Sequence, residues 1–137
     1  MWRAAGQLAP EWESNMAKHT VGIAGLGVVG AGVAAILEKN RAEITRRTGV
    51  EIVVAAGAER DAGRAAEVTL SEGRVVSDAS EFLKDPSIQT VVEVMGGTGY
   101  PKDFVLQAIA AGKNVVTANK ALLAQHWTEI TGAARAK

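Results

Sequence analysis

The sequence predicts an α/β fold built on a doubly wound parallel sheet, and three observations predict it. Short, nearly all-apolar runs alternate with helical patterns along the whole chain. Those runs lack the polar alternation of a half-exposed sheet, as strands covered on both faces should. A glycine-rich turn joins the first run to the first helix. Right-handed crossovers then gather the strands into one sheet with helices on either side. A chain of 137 residues is long enough for one such domain and one core.

Residues 1–17 read as an N-terminal extension ahead of a domain spanning 18–137. Met1–Asn15 has no periodicity, carries Trp2 and Trp12, and precedes Met16, a plausible ordinary start. A short helix whose tryptophans dock on a partner is the alternative for this stretch. His19–Ala24 is the first strand. Val28 to about Arg47 is a helix, with Val29, Val33, Ile36, Leu37 and Ile44 on one face, and Gly49 ends it. Val50–Ala56 is a second strand, and Ala62–Val68 a short helix. Arg74–Val76 is a brief third strand. Asp78 with Glu81 reads as a capping box opening a short helix that stops before Asp85-Pro86. Ile88–Met95 is a fourth strand, apolar on both sides of Glu93. A helix over about Lys102–Ala111 ends at Gly112, Asn114–Thr117 is a fifth strand, and Lys120 to about Ala136 a last helix.

Composition excludes several classes of function. Fifteen acidic and fifteen basic side chains cancel, leaving no electrostatic footprint for nucleic acid. Cysteine is absent, so disulfide frameworks, thiolate metal sites and cysteine nucleophiles have no material. No apolar run reaches the roughly 18 residues of a membrane span. The first fifteen residues lack the continuous apolar stretch of a signal peptide, which makes the cytoplasm the default location. The two histidines, His19 and His126, stand far apart and read as surface or satisfied residues rather than metal ligands.

The strongest chemical signal is Gly25-Leu26-Gly27-Val28-Val29-Gly30. Glycine triplets recur by chance, but this one follows a strand and opens a helix. Gly25 permits the tight turn, Gly27 admits a pyrophosphate close to the backbone, and Gly30 lets the helix pack on the sheet. The free amides at the helix start, from Leu26 through Val29, face the phosphate oxygens. The pattern is that of a Rossmann-type dinucleotide-binding domain.

The end of the second strand bears on which dinucleotide. An acid usually stands there to accept hydrogen bonds from the adenosine ribose. Here the strand ends in Ala56-Gly57-Ala58, without an acid, and Glu59 and Arg60 follow. A guanidinium can hold a 2′-phosphate bidentately, which nominates Arg60, with Arg64 as a second candidate, and favours NADP. Glu59 leaves NAD as an option, and a solvated Arg60 in a surface loop is the bland reading. Two further loops end at the same edge of the sheet: Glu93 to Gly99, where Gly96 and Gly97 leave room for a nicotinamide, and Thr117 to Lys120. Lys120 opens a helix, where its charge opposes the dipole and calls for a partner.

Three stretches together resemble homoserine dehydrogenase. They are Val21-Gly22-Ile23-Ala24-Gly25-Leu26-Gly27-Val28-Val29-Gly30, Val91-Val92-Glu93-Val94-Met95-Gly96-Gly97, and Ala111 through Ala124 with Thr117-Ala118-Asn119-Lys120 at its centre. The resemblance runs from about Lys18 to the last residue. It implies NADPH-dependent interconversion of aspartate 4-semialdehyde and homoserine, on the route to threonine and methionine. It makes Lys120 the lysine beside nicotinamide and substrate, suited to stabilising the carbonyl oxygen or relaying its proton. Gly96, Gly97 and Thr117 would line the nicotinamide ribose.

The family also has a second region that supplies most substrate contacts, a further catalytic lysine, an acid and a dimer surface. None of that follows Lys137 in this sequence, which reads as a truncation before the substrate domain. Homo-oligomerisation is then expected of the complete enzyme, and weak cofactor binding without turnover of this chain alone. Exposed apolar surface and self-association are expected too. The alternative from another class is a stand-alone dinucleotide-binding module that senses cofactor or regulates a partner. Semialdehyde oxidoreductases that acylate a cysteine are excluded for this segment.

Overall fold

The computed structural model describes residues 16–137, so both readings of Met1–Asn15 lie outside the described residues. Five strands form one all-parallel sheet in the order β3-β2-β1-β4-β5. They are β1 (Ala17–Ala24), β2 (Val50–Ala58), β3 (Arg74–Val76), β4 (Thr90–Glu93) and β5 (Asn114–Thr117). The helices are α1 (Val28–Lys39), α2 (Arg41–Thr48), α3 (Ala62–Glu67), α4 (Glu81–Lys84), α5 (Tyr100–Ala110) and α6 (Lys120–Arg135). The doubly wound parallel sheet expected from the sequence is the one found.

Two apolar clusters cover the two faces. Val21, Ile23 and Val54 pack with Ala34, Val33 and Leu37 of α1 on one side. On the other, Ala24, Ala56 and Val91 pack with Phe82 of α4, Phe104 and Val105 of α5, and Leu122 and Ile130 of α6. Burial on both faces is why these strands read as unbroken apolar runs. At about 25 cal/mol per Å² of apolar area removed from water, such clusters are the main favourable contribution to folding.

Several elements differ from the sequence-based expectation, each for a local reason. The long first helix is two helices, broken at Asn40 (φ −103°, ψ 13°). The Asn40 side-chain amide donates to the Ile36 carbonyl at 2.9 Å, competing with the helical ladder. The Asp78–Glu81 capping box does not form. The Asp78 carboxylate accepts instead from the Ser80 amide (2.9 Å) and hydroxyl (2.7 Å), and Ser80 occupies the cap position. β1 starts at Ala17, two residues early, because Ala17 and Lys18 pair with Val50 and Glu51. β4 is shorter than Ile88–Met95, since Ile88 closes a turn on Asp85 and pairing with β1 and β5 stops at Glu93. α5 starts at Tyr100, with Pro101 in the first turn, where a missing N–H costs nothing. α6 is kinked at His126 (φ −128°, ψ 22°).

One irregularity matters for the site. The β1–β2 register slips between Val21 and Gly22, so that Val21 faces Val54 but Gly22 faces Ala56. Ala55 is the extra residue of a bulge, which reverses the facing of the rest of β2. Gly57 thereby lies against Leu26, where a Cβ would stand 2.7 Å from the Leu26 side chain. Glu59, two residues on, emerges on the same side.

Candidate functional site

The chain leaves β1 toward β2 and β3 on one side and returns to β4 and β5 on the other. The carboxyl ends of β1 and β4 are therefore the switch point, where an open α/β sheet presents a crevice. Three loops converge there: Gly25–Gly27 after β1, Val94–Gly99 after β4, and Ala118–Asn119 after β5.

The glycine turn is built as its spacing requires. Gly25 has φ +98°, and a Cβ on it would come 2.8 Å from the Val94 carbonyl oxygen. A Cβ on Gly30 would overlap the Gly25 carbonyl oxygen, so only glycine lets α1 approach the strand so closely. Gly27 is different. Its φ of −69° suits any residue, and a Cβ there would meet nothing within 4 Å. Neither its φ nor a packing contact requires glycine there, and the open space leaves the backbone accessible to a close ligand. The first intrahelical donor is Ala31, bonded to the Gly27 carbonyl, and Gly27 offers no side-chain cap. The Val28, Val29 and Gly30 amides thus precede the helical ladder at the positive end of its dipole. The Val28 side chain is 95% exposed and Val29 56%.

Two clefts flank this turn and share Val94 and Gly96. The first, about 300 Å³, lies toward β2 and is lined by Gly25, Gly27, Glu59, Arg60, Arg64 and Tyr100, among others. The second, about 370 Å³, lies toward β5 and is lined by Val29, Ala118, Asn119 and Lys120 as well as the shared pair. An elongated ligand crossing the turn would occupy both. The expected residues Gly25, Gly27, Val29, Arg60, Gly96 and Lys120 are thereby brought to one edge.

At the β2 side, one expectation changes. β2 ends at Ala58, as the sequence suggests, but Glu59 just beyond it reaches the place of the acid that the strand itself lacks. Its carboxylate accepts from the Leu26 amide at 3.2 Å and from the Asp61 amide at 3.0 Å. The bulge at Ala55 is what turns it there. Arg60 lies with its guanidinium 5.5 Å from the centre of the Tyr100 ring, a cation–π contact at the cleft wall. Asp78 is nearby, its carboxyl held below its usual range chiefly by the Ser80 amide and hydroxyl, and less by the Tyr100 hydroxyl and Arg60. Burial raises the Tyr100 phenol above its usual value, and the Asp78 charge adds to it.

At the β5 side, Gly96 and Gly97 have φ near +80°, so the turn itself demands glycine, and the space beside both is open. Lys120 is the exposed first residue of α6, and among the described residues it forms no salt bridge. The Thr117 hydroxyl donates to Glu93 at 2.7 Å and accepts from the Asn119 amide at 3.0 Å. It is therefore occupied within the protein rather than free for a ligand. The histidines serve local contacts: His19 Nε2 lies 2.7 Å from the Thr90 hydroxyl, and His126 Nδ1 lies 3.8 Å from Glu129. Among the described residues no helix is long and apolar enough to cross a membrane.

The parallel sheet, the glycine turn at its switch point and the clefts on either side define a Rossmann-type NAD-binding domain. Comparison with known proteins makes this specific. Residues 25–137 match the family model for the homoserine dehydrogenase NAD-binding domain, and the chain belongs to that family. It is 44% identical to homoserine dehydrogenase of Neisseria gonorrhoeae over 110 residues, covering 80% of this chain and 25% of that protein. Its identity to the Pseudomonas aeruginosa enzyme is also 44%, over 117 residues, 85% of this chain and 26% of the other. The crystal structure of homoserine dehydrogenase from Thiobacillus denitrificans superposes with a TM-score of 0.81 at 41% identity, over 88% of this chain and 28% of that one. The chain thus spans about a quarter of the length of the curated relatives it matches.

Sequence reasoning missed Tyr100, Asn119 and the contact of Glu59 with the glycine turn. Signals existed: Tyr100 stands between Gly99 and a helix-opening Pro101, and Asn119, a favoured capping residue, directly precedes the last helix.

Proposed function

We propose that these residues form the cofactor half of a homoserine dehydrogenase that interconverts aspartate 4-semialdehyde and homoserine with NADPH preferred and NADH accepted. The observation that carries the cofactor reading is Gly27, a glycine with open space beside it at the switch point, next to amides outside the helical ladder.

When bound, a nicotinamide dinucleotide supplies the hydride exchanged with the carbonyl carbon. The Val28, Val29 and Gly30 amides hold its pyrophosphate, the Leu26 amide being taken by Glu59, and the absence of a side chain on Gly27 admits it. Arg60, held at the cleft wall by Tyr100, meets a 2′-phosphate, while Glu59 accepts from ribose hydroxyls when none is present. Gly96 and Gly97 border the nicotinamide ribose, and Thr117 shapes that loop from below. Lys120 Nζ lies toward the substrate end, where an ammonium stabilises oxygen charge or passes it a proton.

The same reading assigns substrate contacts and the oligomer surface to the rest of a complete enzyme, working in the cytoplasm as a homo-oligomer on the threonine and methionine route. The 137 residues alone would bind dinucleotide and turn over nothing measurable, because positioning worth up to roughly 7–11 kcal/mol is lost without the substrate half. The residues ahead of β1 would remain an extension to the domain.

Separate titrations with NADPH and NADH test this. Arg60→Ala should weaken NADPH roughly 5- to 50-fold and NADH by less than about twofold, as expected for loss of a charge-assisted phosphate contact. Equal weakening of both would remove the 2′-phosphate role. Failure of the wild-type chain to bind either would remove the cofactor reading.

A further inference from the structure

Glu93 is a fully buried carboxylate on β4, and the functional reading gives it no task. Strand alternation puts it on the face of Val91, beneath α5 and α6, while Val92 and Val94 face α1. Among the described residues no lysine or arginine forms a salt bridge with it. What it does have is one hydrogen bond from the β4 loop and one from the last residue of β5. Oε1 accepts from the Met95 amide at 2.8 Å, and Oε2 from the Thr117 hydroxyl at 2.7 Å. Glu93 and Thr117 are register partners on neighbouring parallel strands, which makes the second bond short and direct.

The connection continues upward. The Thr117 oxygen accepts from the Asn119 amide at 3.0 Å, and Asn119 Nδ2 donates to the Gly97 carbonyl at 2.6 Å. Asn119 Oδ1 accepts from the Leu122 amide at 3.1 Å and so caps α6, whose first residue is Lys120. The bonds close a ring through Glu93, Thr117, Asn119 and Gly97, completed by the chain back through Met95. Both groups donate to Glu93 here. A carboxylate accepts on both oxygens with charge-assisted bonds, whereas a carboxamide facing the Met95 amide must present its N–H to the Thr117 oxygen, reversing that bond and removing the charge.

We propose that Glu93 is a positioning residue that ties the β4 loop to the β5 loop and thereby holds Gly96–Gly97 and Lys120 in fixed relation. Its consequence for ligand binding rests on the reading above that the nicotinamide end of a dinucleotide lies between these loops. The tie itself is a property of the free chain. A fully satisfied polar link in a buried setting orders its surroundings more than an apolar contact of the same size.

Residue-resolved amide hydrogen exchange on the 137-residue chain tests it through crossed readouts. In Glu93→Gln the Asn119 amide, on the other loop, should exchange roughly tenfold faster or more. In Thr117→Val the same acceleration, about tenfold, should appear at Met95. Thr117→Ser, which keeps the hydroxyl, should restore wild-type exchange at Met95. The Val21 and Val54 amides should stay unchanged throughout. NADPH affinity should fall several-fold in Glu93→Gln and Thr117→Val and recover in Thr117→Ser. Acceleration limited to the loop carrying the substitution would overturn the proposal, and so would uniform acceleration that includes Val21 and Val54. If Glu93→Gln does not fold, the Thr117 pair decides by the same criteria. A wild-type chain that binds no dinucleotide would end the cofactor reading while the crossed exchange still judges the tie.

Discussion

The two rims of the sheet treat charge in opposite ways. At the amino ends of the strands, Arg41 bonds Glu51 through two guanidinium nitrogens, at 3.0 and 2.6 Å, and also pairs with Glu72. Lys18 approaches the same two carboxylates, and Ser71 links Arg41 to Glu38. Both cations in that cluster are answered by Glu51 and Glu72. At the carboxyl ends, Lys120 and Arg64 form no salt bridge among the described residues, and Arg60 rests on an aromatic ring. Helix-start amides and an unforced glycine lie beside them. A rim whose charges are already satisfied supports the fold. A rim whose donors are left over has been shaped around something else.

The contrast can be broken most forcefully at Gly30. Gly30→Ala drives a methyl into the Gly25 carbonyl and should cost about 3 kcal/mol or more, enough to unfold much of a marginally stable domain. Thermal unfolding followed by circular dichroism checks this. A melting curve like that of the wild type would mean that α1 is not packed against the turn as described.

A smaller effect is expected at the lower rim. Arg41→Ala should lower stability by about 1–2 kcal/mol, since the guanidinium is only 20% exposed and links two acids. Urea titration reads the loss, and dinucleotide affinity should not change. Weakened binding in this variant would erase the division between the rims.

The smallest effect is in acid. The Ser87 hydroxyl and amide, with Arg74 behind them, hold the Asp85 carboxyl below its usual range. A depressed folded-state value contributes stability that is complete above the unfolded value, near pH 4, and is lost as pH falls toward the folded one. Asp85→Asn should therefore flatten part of the stability loss below about pH 4 and leave the slope near neutrality unchanged. Stability measured across pH 2–7 would show whether that loop titrates as described.

What could be read from sequence was whatever depends on spacing alone. Five strands, the glycine turn and the approximate helix positions follow from apolar runs and glycine placement, which are local. The break at Asn40 escaped because the apolar face continues across it, and a single side-chain amide decides the matter. The bulge at Ala55 escaped because β2 is apolar on both faces and so carries no parity signal. Glu59 reads from sequence only as the neighbour of Arg60, and its reach to the Leu26 amide is not legible there. Glu93 stood out as the one charge in an apolar run, yet its partners depend on the β4–β5 register, which no local pattern fixes.

If the upper rim is shaped for a ligand rather than for the fold, Gly27→Ala separates the two. The methyl group meets no protein atom and the backbone is already suited to it, so stability should change by less than about 1 kcal/mol. NADPH binding, measured by calorimetry on the same sample, should fall at least tenfold, because the methyl fills the approach a pyrophosphate would use. Unchanged affinity in a folded Gly27→Ala chain would contradict shaping for a ligand.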